Sequence, residues 1–158
     1  MALVVSARAA TPADDAEVAR LRRAGADDVL ALRGGQALLD ALNGVEIEGD
    51  LERGERVTMV GVVADTVVGY AIVARRGARA EVAELYCERA GRGVGVGHAL
   101  LELATARAVE WGCVALDSHA LPGDRGTKNF FEAHAMVSRL IVVSRSLLEA
   151  TEPPDADR

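Results

Sequence analysis

The apolar positions of this chain change their period several times, and each change marks an element. Residues 3–10, LVVSARAA, form a short apolar run of strand length. Thr11 then reads as a helix N-cap with Pro12 at the first helical position and acids in the first turn, and Val18 and Leu21 give that helix its apolar side. A second helix is expected from about Gln36 to Leu42, with Leu38, Leu39 and Leu42 on one face and Asn43-Gly44 as its stop signal. Next come RVTMVGVVA and VVGYAIVARR, two β-rich runs separated by the hairpin-sized pair Asp65-Thr66. After the turn ARRGAR, the run AEVAELYCE (80–88) predicts a third strand of that meander. The period then switches to that of a helix from about Gly97 to Trp111, through Leu101, Ala104, Ala108 and Trp111. CVALDSH follows as a short strand, so strand, helix and strand form one right-handed βαβ unit. A last helix over roughly Gly126–Ala135 leads to an expected final strand, VSRLIVVSR (137–145). This order predicts an α+β (α/β) domain over residues 1–146, its mixed sheet an antiparallel meander first and part-parallel afterwards. The Pro-rich polar tail 147–158 is expected to be disordered.

Composition narrows the picture. The chain has 158 residues, enough for one core and too few for a comfortable second domain. Half the residues are hydrophobic but only 3% aromatic, so Val, Leu, Ala and Ile must fill that core. The net charge of −6 argues against a nucleic-acid partner, which requires a basic stripe to displace counterions. The N-terminal apolar run is too short for a signal h-region or a membrane span, so no membrane partner is expected and the expected location is the cytoplasm. Cys87 and Cys113 lack metal-site or disulfide-framework spacing, and no metal is expected.

The candidate chemistry lies in ERAGRGVGVGHALLELATARA, residues 88–108. Glycines stand at 91, 93, 95 and 97, between a predicted strand and a predicted helix. Unpaired N–H groups at a helix start, approached through glycines, make an anion site. The dinucleotide spacing G-x-G-x-x-G fails, because Val96 or His98 occupies the third glycine position. The phosphate loop G-x-x-x-x-G-K-[ST] fails as well, because no Lys-Ser/Thr pair follows.

What fits is Arg92-Gly93-Val94-Gly95-Val96-Gly97, an R-x-x-G-x-G. In this setting the chain resembles the GNAT superfamily of N-acetyltransferases, whose Q/R-x-x-G-x-G/A loop cradles the pyrophosphate of acetyl-CoA. The resemblance runs from the first strand to about Arg145 and is strongest over residues 80–113. It implies splayed parallel strands with helices on both sheet faces. It also implies acetyl-CoA as co-substrate, held by the backbone around Arg92, Gly93, Val94, Gly95, Val96, Gly97 and His98. The pantetheine arm would run along Leu85, Tyr86 and Cys87, with the Leu85 amide as oxyanion donor, and Asp124, Asn129 and Phe131 would lie near the thiol end. The implied activity is acetyl transfer to a primary amine of a small molecule or peptide by direct attack. Many members protonate the leaving thiolate with a tyrosine in N-x-x-A-x-x-F-Y-E; here the matching stretch is D-R-G-T-K-N-F-F-E, with Phe131 in the tyrosine's place. The alternative is therefore a non-catalytic CoA-binding or regulatory module that has lost the general acid. Tyr86 is a candidate substitute acid if strand alternation turns it to the site.

For the base, Glu81, Glu84 and His119 are candidates. Three residues is an odd step along a strand, which would put the two glutamates on opposite faces. The competing reading of either is a cross-strand ion pair with arginine, and of His119 an exposed loop residue. His134 is expected on a solvated helix face. The acids Glu46, Glu48, Asp50 and Glu52 could attract a cationic amine or form a solvated charge run. Members of the superfamily often dimerise through sheet edges or the last strand, so a homodimer is a further possibility.

Overall fold

The computed structural model describes residues 2–43, 54–143, 145 and 147. Five strands form one sheet in sequence order: β1 (Val5–Ala9), β2 (Arg56–Val63), β3 (Thr66–Arg76), β4 (Arg79–Cys87) and β5 (Ala115–Asp117). The first four pair antiparallel, and β4 pairs with β5 in parallel. Four helices complete the fold: α1 (Asp15–Leu30), α2 (Gly35–Asn43), α3 (Val96–Glu110) and α4 (Arg125–Ala133). The expected α+β architecture, with its meander and its β4-α3-β5 unit, is thus the observed one.

The alternation of β2 and β3 supplies both faces of a two-sided core. Met59, Ala71, Val73 and Val82 meet Val96, Leu100, Leu101 and Ala104 of α3, together with Phe131 of α4. Val60, Tyr70 and Ile72 meet Val18 and Leu21 of α1 on the other face. The entry to α1 is held by Asp14, which ends the short 3-10 turn Pro12–Asp14. Its carboxylate accepts from Arg8 at 2.7 and 2.9 Å and from the Thr11 N–H at 2.7 Å. The Arg8 guanidinium, with help from the Thr11 amide, holds that carboxyl below the usual carboxylate range.

Three expectations need correction. The β2–β3 turn is Ala64-Asp65, one residue earlier than expected; both residues have positive φ (45° and 66°), the geometry whose twist matches a two-residue hairpin. The expected strand 137–145 does not form among the described residues, and Leu140, Ile141, Val142 and Val143 are all exposed. A β-branched run has strand propensity, but a strand exists only where an edge receives it, and β5 is three residues long. The third correction concerns β4. Val82 pairs with Val73 and Glu84 with Ile72, so Ala83 is an extra residue without a partner. This bulge cancels the odd step between Glu81 and Glu84. Both face the same side, opposite Ala74 and Ile72 and towards α1. The acidic stretch 44–53, with Glu46, Glu48, Asp50 and Glu52, and the tail 148–158 lie outside the described residues.

Candidate active site

β4 and β5 pair only at Arg79–Ala115, Ala80–Leu116 and Glu81–Asp117. Beyond Glu81 the two strands diverge, so along residues 82–87 this edge of β4 has no strand beside it among the described residues. A cavity of about 1100 Å³ opens along that edge. It is lined by the glycine loop, the start of α3, residues of α1 and α2, α4 and the loop after β5.

The loop is built from the conformations only glycine adopts cheaply. Gly93 and Gly95 have φ of 72° and 99°, and Gly95 is the N-cap of α3. The first helical bond runs from the Ala99 N–H to the Gly95 carbonyl at 2.9 Å. The amides of Val96, Gly97 and His98 therefore have no acceptor within the helix, and they concentrate its positive end. Gly97 lets the helix start approach α4, since a Cβ there would lie 3.1 Å from the Phe130 ring. Together these features fit a phosphate-bearing ligand at this end of the cavity.

Most of the expected cofactor residues border this cavity: Leu85, Tyr86, Cys87, Arg92, Gly93, Gly95, Gly97, His98, Asp124 and Phe131. Val94, Val96 and Asn129 do not. Val94 and Asn129 are exposed, while Val96, the first residue of α3, is buried in the core. Asp124 caps α4, accepting from the Thr127 N–H at 3.0 Å. Phe131 is buried in the core on the α3 side yet reaches the cavity, bringing no hydroxyl to it. Tyr86 turns to the α1 side and packs on Gly25, and the Arg92 guanidinium lies 5.6 Å from its ring centroid. Arg92 also donates to the Cys87 carbonyl at 2.7 Å and pairs with Asp28 at 3.3 Å. Burial pushes the Cys87 thiol up to about 11, against the pull of Arg92, so the thiol is protonated at neutral pH.

The candidate bases separate into two groups. Glu84 receives a two-pronged contact from Arg22 at 2.9 and 2.6 Å and the Tyr70 hydroxyl at 2.7 Å. Burial, then the Glu84 charge, raises the Tyr70 hydroxyl far above its ordinary value, so it stays a donor. A carboxylate held this way is a structural anchor between α1 and the sheet rather than a proton acceptor waiting for one. Glu81 and His119, by contrast, come together: His119 Nδ1 lies 3.5 Å from the Glu81 carboxylate, which also pairs with Arg76 at 3.3 Å. His119 lines the cavity and Glu81 stands behind it. An imidazole oriented by a carboxylate is the arrangement of a general base.

His134, expected on a solvated helix face, follows α4 and lines the cavity instead, while sequence reasoning missed Phe130 on α4 and Arg22, Gly25 and Leu32 from the α1 side, all cavity residues. None carries a local signal; Gly25 is explained only by the Tyr86 ring placed against it.

A family model described as the acetyltransferase (GNAT) family matches residues 33–136. No curated protein sequence matches the chain. Among solved structures, the aminoglycoside N-acetyltransferase AAC(6')-Iy in complex with CoA superposes with a TM-score of 0.66 at 13% identity, covering 89% of this chain and 98% of that one. The ribosomal-protein-alanine N-acetyltransferase of Brucella melitensis biovar Abortus 2308 gives 0.66 at 17%, over 90% and 99% of the two chains. A transcriptional regulator from Bacillus halodurans C-125 gives 0.64 at 20%, over 90% and 99%. At these identities the structures show a shared fold.

Proposed function

The chain belongs to the GNAT acetyltransferase family, and we propose that it carries an acetyl group from acetyl-CoA to a primary amine by direct attack, with His119 as base. Acetyl transfer from acetyl-CoA is the reaction of the family, and the thioester supplies the activated acyl group. The observation that carries the reading is the cavity shared by the glycine loop, the start of α3 and the strand-free edge of β4. The loop amides are suited to the pyrophosphate. The β4 edge is suited to an extended, amide-bearing arm, and its Leu85 amide to the developing oxyanion.

His119 takes the proton of the attacking amine, and Glu81 orients the ring and offsets its charge. The amine nitrogen bonds to the carbonyl carbon as the carbon–sulfur bond breaks. The thiolate that leaves is protonated from water, since Phe131 has no proton to give. Cys87, kept as a neutral thiol, takes no part in direct attack. The acceptor end is walled by Val29, Leu32, Leu38, Leu39 and Leu42, which suits an amine on a partly apolar body. The aminoglycoside and ribosomal-protein enzymes that share the fold act on small-molecule and peptide amines respectively, and this chain takes one of those classes.

The test is calorimetric titration with CoA, followed by turnover with a panel of amines and acetyl-CoA. Wild type is expected to bind CoA and Gly95→Glu to fail. His119→Gln should lower kcat by about 10²- to 10⁴-fold with CoA affinity kept. No CoA binding by wild type would overturn the cofactor reading. A second reading, a CoA-binding regulatory module, is favoured by Phe131 alone. CoA binding without turnover of any amine, even in Phe131→Tyr, would establish it instead.

A further inference from the structure

At the anion end of the cavity, two histidines form one unit. His98 Nδ1 lies 2.9 Å from His134 Nε2, and His134 Nδ1 lies 2.7 Å from the Phe130 carbonyl oxygen. The ring centroids are 5.1 Å apart, and His134 also packs at a tilt against the Phe130 ring, with centroids 4.6 Å apart. His98 is in the first turn of α3 and His134 follows α4, so the pair joins two elements that have no sequence proximity. Both rings line the cavity.

The partners fix the protons. A carbonyl oxygen only accepts, so His134 Nδ1 carries a hydrogen and donates it. His134 Nε2 is then an acceptor, and His98 Nδ1 must be the donor to it. In the neutral pair this leaves His98 Nε2 with a lone pair and no hydrogen. A lone pair repels a phosphate oxygen; an N–H⁺ binds one. Protonation at Nε2 makes His98 a cation whose Nδ1–H donates more strongly to His134, which passes the polarisation on to the Phe130 carbonyl. That carbonyl lies in the last turn of α4, the end of a helix that favours positive charge.

We propose that the His98–His134 pair couples cofactor binding to the uptake of one proton, with His98 Nε2–H⁺ contacting a cofactor phosphate and His134 as the positioning residue that sets its tautomer. The inference rests on the acetyl-CoA reading of the cavity. The proton comes from solvent onto His98 Nε2, no other bond changes, and release of the cofactor returns it. By linkage, a phosphate that favours the protonated ring is bound more tightly at lower pH by the same factor. The other charged groups around the pair are Glu102 on α3, Arg89 and Arg92 on the loop, and Asp124, Arg125, Lys128 and Glu132 on α4. Asp124 is engaged as the α4 cap and Lys128 pairs with Glu132 at 3.4 Å. Among the described residues, none of these forms a hydrogen bond or ion pair with either ring.

The probe is dephospho-CoA, because the 3′-phosphate monoester of CoA titrates near pH 6 by itself, as phosphate monoesters do. Titration calorimetry in two buffers of unequal ionisation enthalpy counts the protons taken up on binding. Wild type is expected to take up a fraction of a proton near neutral pH and to bind about 5- to 20-fold tighter at about pH 6 than at about pH 8. His98→Gln should bind with no uptake and a flat profile. His134→Phe should lose most of the uptake, while His134→Gln, which keeps an acceptor towards His98, should restore much of it; thermal melts confirm that each variant is folded. Binding without proton uptake by wild type, or the same uptake by His98→Gln, overturns the proposal and leaves the cofactor reading standing. Failure of wild type to bind CoA and dephospho-CoA overturns both.

Discussion

Gly61→Ala is the substitution whose consequence follows most directly from the packing. Gly61 lies in β2 on the face that carries α3, and a Cβ there would fall inside 3.0 Å of Val96 Cγ1 and 3.2 Å from Leu100 Cδ1. Val96 and Leu100 are both fully buried, so neither can swing aside. Carbon atoms pack at about 3.5–4.0 Å, so the first turn of α3 must rise by on the order of 1 Å. Overpacking of this kind costs about 1–3 kcal/mol, and for a chain of this length each 1 kcal/mol lowers Tm by about 2–4 °C. Val96 heads the turn whose free amides face the cavity, so the same shift moves the anion site. A displacement of about 1 Å costs up to 10²-fold where donors must be in place; CoA affinity should accordingly fall about 10- to 100-fold. Thermal melts and calorimetry on the same samples read both effects. The decisive sample is Gly61→Ala/Val96→Ala, which removes the clashing methyl and should recover stability and affinity relative to the single variant. Native Tm and affinity in Gly61→Ala would refute the reasoning, as would losses in the double variant that simply add.

Asp14→Asn should lower stability at neutral pH by about the 1 kcal/mol of a lost helix-entry contact. Asp14 has a depressed folded pKa, so its stabilising effect is full above the unfolded carboxyl value and is lost as pH falls through the folded one. The gap between wild type and variant in urea melts should therefore begin to narrow once the pH falls below the unfolded carboxyl value of about 3.9, and keep narrowing as the pH falls further; a gap that widens would contradict the Arg8–Asp14 account. Cys87→Ala should leave turnover within about twofold, and the Cys87 thiol of wild type should resist alkylation near neutral pH, since a thiol at about 11 holds little thiolate there. Rapid labelling of Cys87 in an intact fold would show the burial to be wrong.

The sequence alone determined what local physics controls. The capping residues at 11–14, the period changes that separate meander from βαβ unit, and the left-handed glycines between a strand and α3 are all readable one window at a time. R-x-x-G-x-G was legible because a loop that needs left-handed backbone before a helix leaves its mark as glycine. Tertiary structure decided everything that depends on what lies opposite. The Ala83 bulge turned Glu81 and Glu84 to one face, because a bulge is set by the partner strand and not by the residue that bulges. Register then gave Glu84 to Arg22 and Tyr70, and the loop after β5 brought His119 to Glu81. The run 137–143 has the composition of a strand but pairs with none among the described residues, since pairing requires two partners and a sequence window shows one. His98 and His134 are 36 positions apart in the chain, and only the packing of α4 against the start of α3 makes them a pair.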